Sequence, residues 1–184
     1  MTAASDKHGD KYGQIVGPTE VRFQRLLPGP VEMVWAFLTD SRKRGEWLAS
    51  GPMDLKPGGK ARLSFKHADL SPNKAPAPEK YRNLDAKGHE SDHEIIQVEP
   101  PRLLAMTWPR NSEVTFELTP RGDQVLLTVT HRRLASRDDM IDVSGGWHSH
   151  LDILVERANG RVPPAFWTVF GDLEEEYDRR YPKG

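Results

Sequence analysis

From Glu20 the chain alternates between apolar and polar positions. Val21, Phe23, Arg25 and Leu27 fall on one side of a period-2 pattern, with Arg22, Gln24 and Leu26 on the other, which predicts a half-buried strand. Pro28-Gly29-Pro30 stops it. Pro30 suits the first position of a helix, where its missing N–H costs nothing, and Val31, Val34, Trp35 and Leu38 follow at helical spacing. Asp40 is placed to cap a second short helix carrying Trp47 and Leu48.

Strand patterns then dominate. Met53 and Leu55 predict a short strand, and Pro57-Gly58-Gly59 a turn. Ala61, Leu63, Phe65 and His67 share one face of the next strand. Residues 70–90 form a long polar, proline-rich excursion, a length that marks a mobile or functional loop in a compact domain. Strands resume over 93–98 and 103–108 on either side of Pro100-Pro101. Val114, Phe116 and Leu118 alternate, Arg121-Gly122-Asp123 supplies a hairpin turn, and Val125, Leu127, Val129 and His131 form an inward face.

The last third is helical. Ser136 with Asp139 three residues on resembles a capping box, and Met140, Val143, Trp147, Leu151, Leu154 and Ala158 line one face up to a stop at Asn159-Gly160. Gly145-Gly146 lies inside this helix, where each glycine costs about 1 kcal/mol against alanine. Such a cost points to close packing against a neighbour or to a bend at a cavity mouth. Beyond Pro163-Pro164, Phe166, Phe170, Leu173 and Tyr177 share the face of a final helix. The expected divisions are a flexible tail over 1–17, one domain over 18–160 and a helical extension over 161–184.

About six antiparallel strands followed by one long helix make an α+β plan in which the helix covers one face of the sheet. A bent sheet around a helix leaves an interior hollow, the kind of concave apolar space that takes small molecules. The expected ligand-binding lining is Trp47, Phe65, Met106, Trp108, Phe116, Trp147 and Leu151.

Composition narrows the classes. The 184 residues carry 26 Lys+Arg against 27 Asp+Glu, a net charge of -1 that disfavours bulk electrostatic binding of nucleic acid. No apolar run reaches the ~18–20 residues of a bilayer span, so no membrane insertion is expected. No secretory leader is evident in MTAASDKHGDKYGQ, which predicts a cytoplasmic protein. The absence of cysteine removes disulfides, thiolate metal sites and a cysteine nucleophile.

The segments VEMVWAFLTDSRKRGEWLA, PGGKARLSF, VEPPRLLAMTW, SEVTFELTPRGDQVLLTVTHRRL and GGWHSHLDILVERANG together resemble the START-like, Bet v 1-like (SRPBCC) superfamily over about residues 20–160. Within it they are similar to the domain of the Aha-type heat-shock-protein ATPase activators. The resemblance implies a helix-grip fold, a curved antiparallel sheet wrapped around a long C-terminal helix, here with an extra C-terminal helix. It also implies binding of lipid-like or polyketide-like molecules, with cyclases and aromatases as a minority. A chaperone-interacting module is a further alternative. The 70–90 excursion and the final helix are candidates for a cavity lid or a homodimer contact.

Three histidines, His67, His131 and His150, are candidate cavity acid–base groups, although no motif assigns them roles. Their spacing, with Glu94 or Asp152 near, does not make a metal site, and His148 and His150 point different ways on a helix. No metal or other cofactor is expected. The clusters Arg42-Lys43-Arg44, His131-Arg132-Arg133 and Glu174-Glu175-Glu176 read as solvated surface, the last with Arg179 and Arg180 as i+4 partners.

Overall fold

A computed structural model describes residues 11–184. In chain order the elements are β1 (Gln14–Gly17), β2 (Glu20–Pro28), α1 (Val31–Thr39), α2 (Ser41–Arg44), β3 (Lys60–Phe65), α3 (Arg82–Lys87), β4 (His89–Glu99), β5 (Leu103–Trp108), β6 (Ser112–Arg121), β7 (Gln124–Arg132), α4 (Arg137–Ala158), α5 (Phe166–Phe170) and α6 (Leu173–Arg180). Short 3-10 turns occupy His67–Asp69 and Glu79–Tyr81. One curved antiparallel sheet in the order β1-β2-β7-β6-β5-β4-β3 holds all seven strands. The expected helix-grip architecture is present, with one expected strand lost and one unexpected strand gained.

The strand gained is β1, which lies in the expected tail. Gln14 and Ile15 pair with Arg22 and Val21, so β1 extends the sheet at its edge; residues 1–10 lie outside those described. The predicted strand at Met53 and Leu55 reduces to isolated bridges, Ser50 to Ser64 and Met53 to Ala61. Between β6 and β7 the turn is Gly122-Asp123, with Gly122 at φ 63°, a conformation that a side chain disfavours.

Alternation places Val21, Phe23, Leu27, Leu104, Val129 and their neighbours on the inner face under α4. Arg25 shares that parity and is buried with them. Its Nη2 meets Asp152 Oδ1 on α4 at 3.1 Å, so a charge on the inner face is answered from the helix. Ser136 caps α4 by accepting from Asp139 N–H at 3.1 Å, as the capping pattern predicted. The single expected last helix is two, broken at Gly171 (φ 30°), and both pack on α4.

Arg44 is a correction. Its cluster reads as solvated surface, yet the side chain is 1% exposed and donates to Ala49 O at 3.0 Å, Leu38 O at 3.1 Å and Gly51 O at 2.5 Å. Burial lowers its pKa to about 10. The helix capped by Asp40 ends at Arg44, so Trp47 sits in the turn beyond it, donating Nε1–H to Phe37 O at 2.8 Å. The acidic run does pair on the surface: Glu176 takes both Arg179 and Arg180, while Glu174 takes Lys80.

Candidate functional site

The hollow lies at one end of the grip, where β3, β5 and β7 finish and β4 and β6 begin. It measures about 370 Å³, within the size range of small-molecule pockets. Phe65, Trp108 and Trp147 of the expected lining face it. The Trp108 and Trp147 rings stand 5.2 Å apart, and Trp147 packs edge-on against Phe116 at 5.7 Å, which closes the hollow off from the deeper core.

The other four expected lining residues are core. Trp47, Met106 and Phe116 lie one or two inward positions deeper, around a residual void of about 10 Å³, and Leu151 is fully buried outside the lining. Strand parity was right for Met106 and Phe116, but Leu38, Arg44, Trp47 and Leu48 from α1 and the segment after it fill the space beside them. In their place the hollow is lined by Tyr81 and Leu84 from the 70–90 excursion, Ser91 from β4, Ser112 from β6 and Gly146 from α4. Ser91 and Ser112 share parity with the inward residues His93 and Val114, a signal the sequence did hold. Tyr81 and Leu84 had none, because a short helix bounded by turns shows no usable periodicity.

The excursion is built against the C-terminal helices. Trp167 Nε1–H donates to Asp85 at 2.9 Å, Tyr81 stacks on Trp167, and its hydroxyl donates to Glu174. Ser71 Oγ and Asn73 Nδ2 both donate to Pro163 O, at 2.6 and 3.0 Å. Thus the 3-10 turn Glu79–Tyr81 and α3 form one wall of the hollow, the turn held by Glu174 of α6 and α3 by Trp167 of α5.

The two helix glycines separate the two uses proposed for them. A Cβ on Gly145 would come 3.3 Å from Phe170 Cε2, so that glycine admits α5; a Cβ on Gly146 would meet nothing within 4 Å. Gly146→Ala is therefore expected to stabilise the fold by about 1 kcal/mol. Gly145→Ala gains less, because Phe170 must shift. Paired urea unfolding curves check this, and equal gains at both sites would contradict it.

The candidate histidines occupy three different settings. His131 is wholly engaged: its Nδ1 accepts from Trp147 Nε1–H at 3.1 Å, so its Nε2–H donates to Ser112 Oγ at 2.8 Å, and Ser112 donates on to Pro109 O at 2.9 Å. His150 donates Nδ1–H to Trp47 O at 2.8 Å, which leaves Nε2 as an unprotonated acceptor on the hollow. His67 stacks on Phe166, with centroids 4.1 Å apart, and stands 5.3 Å from the His150 ring. Burial holds His67 and His131 down to about 4 and His150 to about 3. His148 turns away toward Tyr177 and Asp152. Among the described residues, no group of three or more His, Asp or Glu is arranged to hold a metal ion, and no helix is long and apolar enough to cross a membrane.

An antiparallel sheet gripping a long C-terminal helix, with a lined hollow between them, defines a START-like, Bet v 1-like protein. The chain belongs to the family described as Activator of Hsp90 ATPase homolog 1-like protein, whose model matches residues 28–159. It is similar to the solution structure of the protein encoded by BPP1335 from Bordetella parapertussis, at 42% identity and TM-score 0.79, over 100% of this chain and 97% of that one. Two further structures share the fold. CalU16 from Micromonospora echinospora is 24% identical with TM-score 0.63, over 87% of this chain and 86% of that one. DynU16, a protein of the dynemicin biosynthetic locus, is 21% identical with TM-score 0.61, over 80% of this chain and 49% of that one. No curated protein matches the chain.

Proposed function

We propose that this protein binds one small hydrophobic or aromatic molecule in the hollow between the sheet and α4. The observation that carries this is the hollow itself: a space of about 370 Å³ with an indole floor, set beside a core that is otherwise close-packed. Close packing is the default of protein interiors, and an apolar space of this size goes unfilled only at a cost to stability. The dynemicin locus of DynU16, a fold relative, is consistent with a binding role in the chemistry of such molecules.

Catalysis by the cavity histidines fits the site less well. His131 spends both ring nitrogens inside the protein, and burial makes His67 and His150 weak bases at neutral pH. Efficient general bases have pKa values near the working pH.

N-phenyl-1-naphthylamine is a suitable neutral probe. Titrated into the protein it should saturate at one molecule per chain, gain fluorescence, and quench tryptophan emission, because Trp108 and Trp147 would touch it. Emission that rises without saturating, or leaves the tryptophans unaffected, would count against the reading.

A further inference from the structure

Resting on that binding role, the chemistry of the deepest polar atoms specifies what the guest must carry. His150 is 6% exposed and its ring is fixed by Phe166 at 4.8 Å and Phe65 at 6.2 Å. Because its Nδ1–H is committed to the Trp47 carbonyl, Nε2 presents a lone pair to the hollow, with no partner among the described residues. The two lining serines also have their protons committed. Ser112 donates to Pro109 O. Ser91 donates to His93 Nε2 at 2.6 Å, because His93 gives its Nδ1–H to Thr107 O at 2.8 Å. All three therefore offer acceptors only.

Once a guest excludes water, an acceptor left unpaired costs about 1–3 kcal/mol. A guest that reaches His150 must therefore bring a donor. An ammonium group is a poor choice, since the surroundings that refuse a proton on His150 also penalise another cation. A carboxylate has no proton to offer. The guanidiniums of Arg110 and Arg133 stand on the exposed rim, paired with Asp139 and Glu113. We propose that the hollow selects uncharged aromatic molecules bearing a hydroxyl, and that this hydroxyl donates to His150 Nε2.

Calorimetric titration of 2-naphthol against 2-methoxynaphthalene, its ether without the proton, tests this at neutral pH. The expected preference for the naphthol is about tenfold, the worth of one neutral hydrogen bond, and it should vanish in His150→Phe. If that variant does not fold, nitrogen-15 spectra of the wild-type imidazoles decide: the His150 Nε2 resonance should move with naphthol and stay with the ether. Equal affinity for the two compounds would overturn the hydroxyl proposal and leave the binding role standing. A preference retained in His150→Phe, or a resonance that does not move, would overturn the assignment to His150. Failure of both compounds to bind would overturn the hydroxyl proposal and the binding role together.

Discussion

Arg44→Leu is expected to destabilise the protein by about 4 kcal/mol, lowering the melting temperature by roughly 8–16 °C. The leucine fills much of the space but donates nothing, so the carbonyls of Leu38, Ala49 and Gly51 lose their shared partner. Those three bonds tie the end of α1 to the segment over 45–52, which carries Trp47 and leads into the bridge between Ser50 and Ser64. The loss reaches the hollow as well, because the Trp47 carbonyl orients His150. Arg44→Lys should fall between the two, since an ammonium keeps the charge but cannot span three acceptors in a plane. Thermal unfolding by circular dichroism measures the series. A leucine variant within 1 kcal/mol of wild type would show that the guanidinium is not what anchors this segment.

The second large effect is expected on acidification. His67, His131 and His150 are held near 4, 4 and 3 by burial, whereas an unfolded histidine titrates near 6.5. Below about 6.5 the unfolded chain binds protons that the folded one refuses, so stability is complete above that pH and falls as the pH drops toward the folded values. Each histidine contributes up to ~1.4 kcal/mol per pH unit, and the three together should remove about 3 kcal/mol between pH 6 and pH 5. Asp152 acts elsewhere: although burial alone would raise it, the His148 bond and Arg25 hold it below the usual carboxylate range, so its support is lost only at lower pH. Denaturant midpoints across pH 7 to 4.5 read the slope. His67→Phe, which keeps a ring against Phe166, should flatten it by about a third. A wild-type curve that is level from pH 6.5 to 5 would contradict the buried, neutral state of these rings.

Strand parity and the caps made the architecture legible. The inward sets on β2, β6 and β7, the Gly122-Asp123 turn and the Ser136 cap each depend on residues within a few positions of one another, so the linear pattern carries them. The depth of the hollow did not follow from the same pattern. Met106 and Trp108 are both inward on β5, but only Trp108 reaches the open end, because Leu38, Arg44, Trp47 and Leu48 from α1 and the segment after it take the space around Met106. Arg44 was hidden because its acceptors are backbone carbonyls, which leave no mark in residue identity. β1 was hidden because an edge strand with a largely exposed pattern looks like a polar tail. The wall formed by Tyr81 and Leu84 depends on Glu174, Trp167 and Pro163, some 80 to 90 residues away, a separation beyond any local periodicity.

A guest lodged beside α4 is the central claim, and Gly146 offers the most direct test of it. Because a side chain there enters empty space, Gly146→Phe should fold with stability equal to or above wild type while occupying the hollow from inside. Binding of N-phenyl-1-naphthylamine to this variant should be lost, with Tm no lower than that of the parent. Undiminished binding by the stable variant would mean that the probe sits elsewhere and that the hollow is not the ligand site.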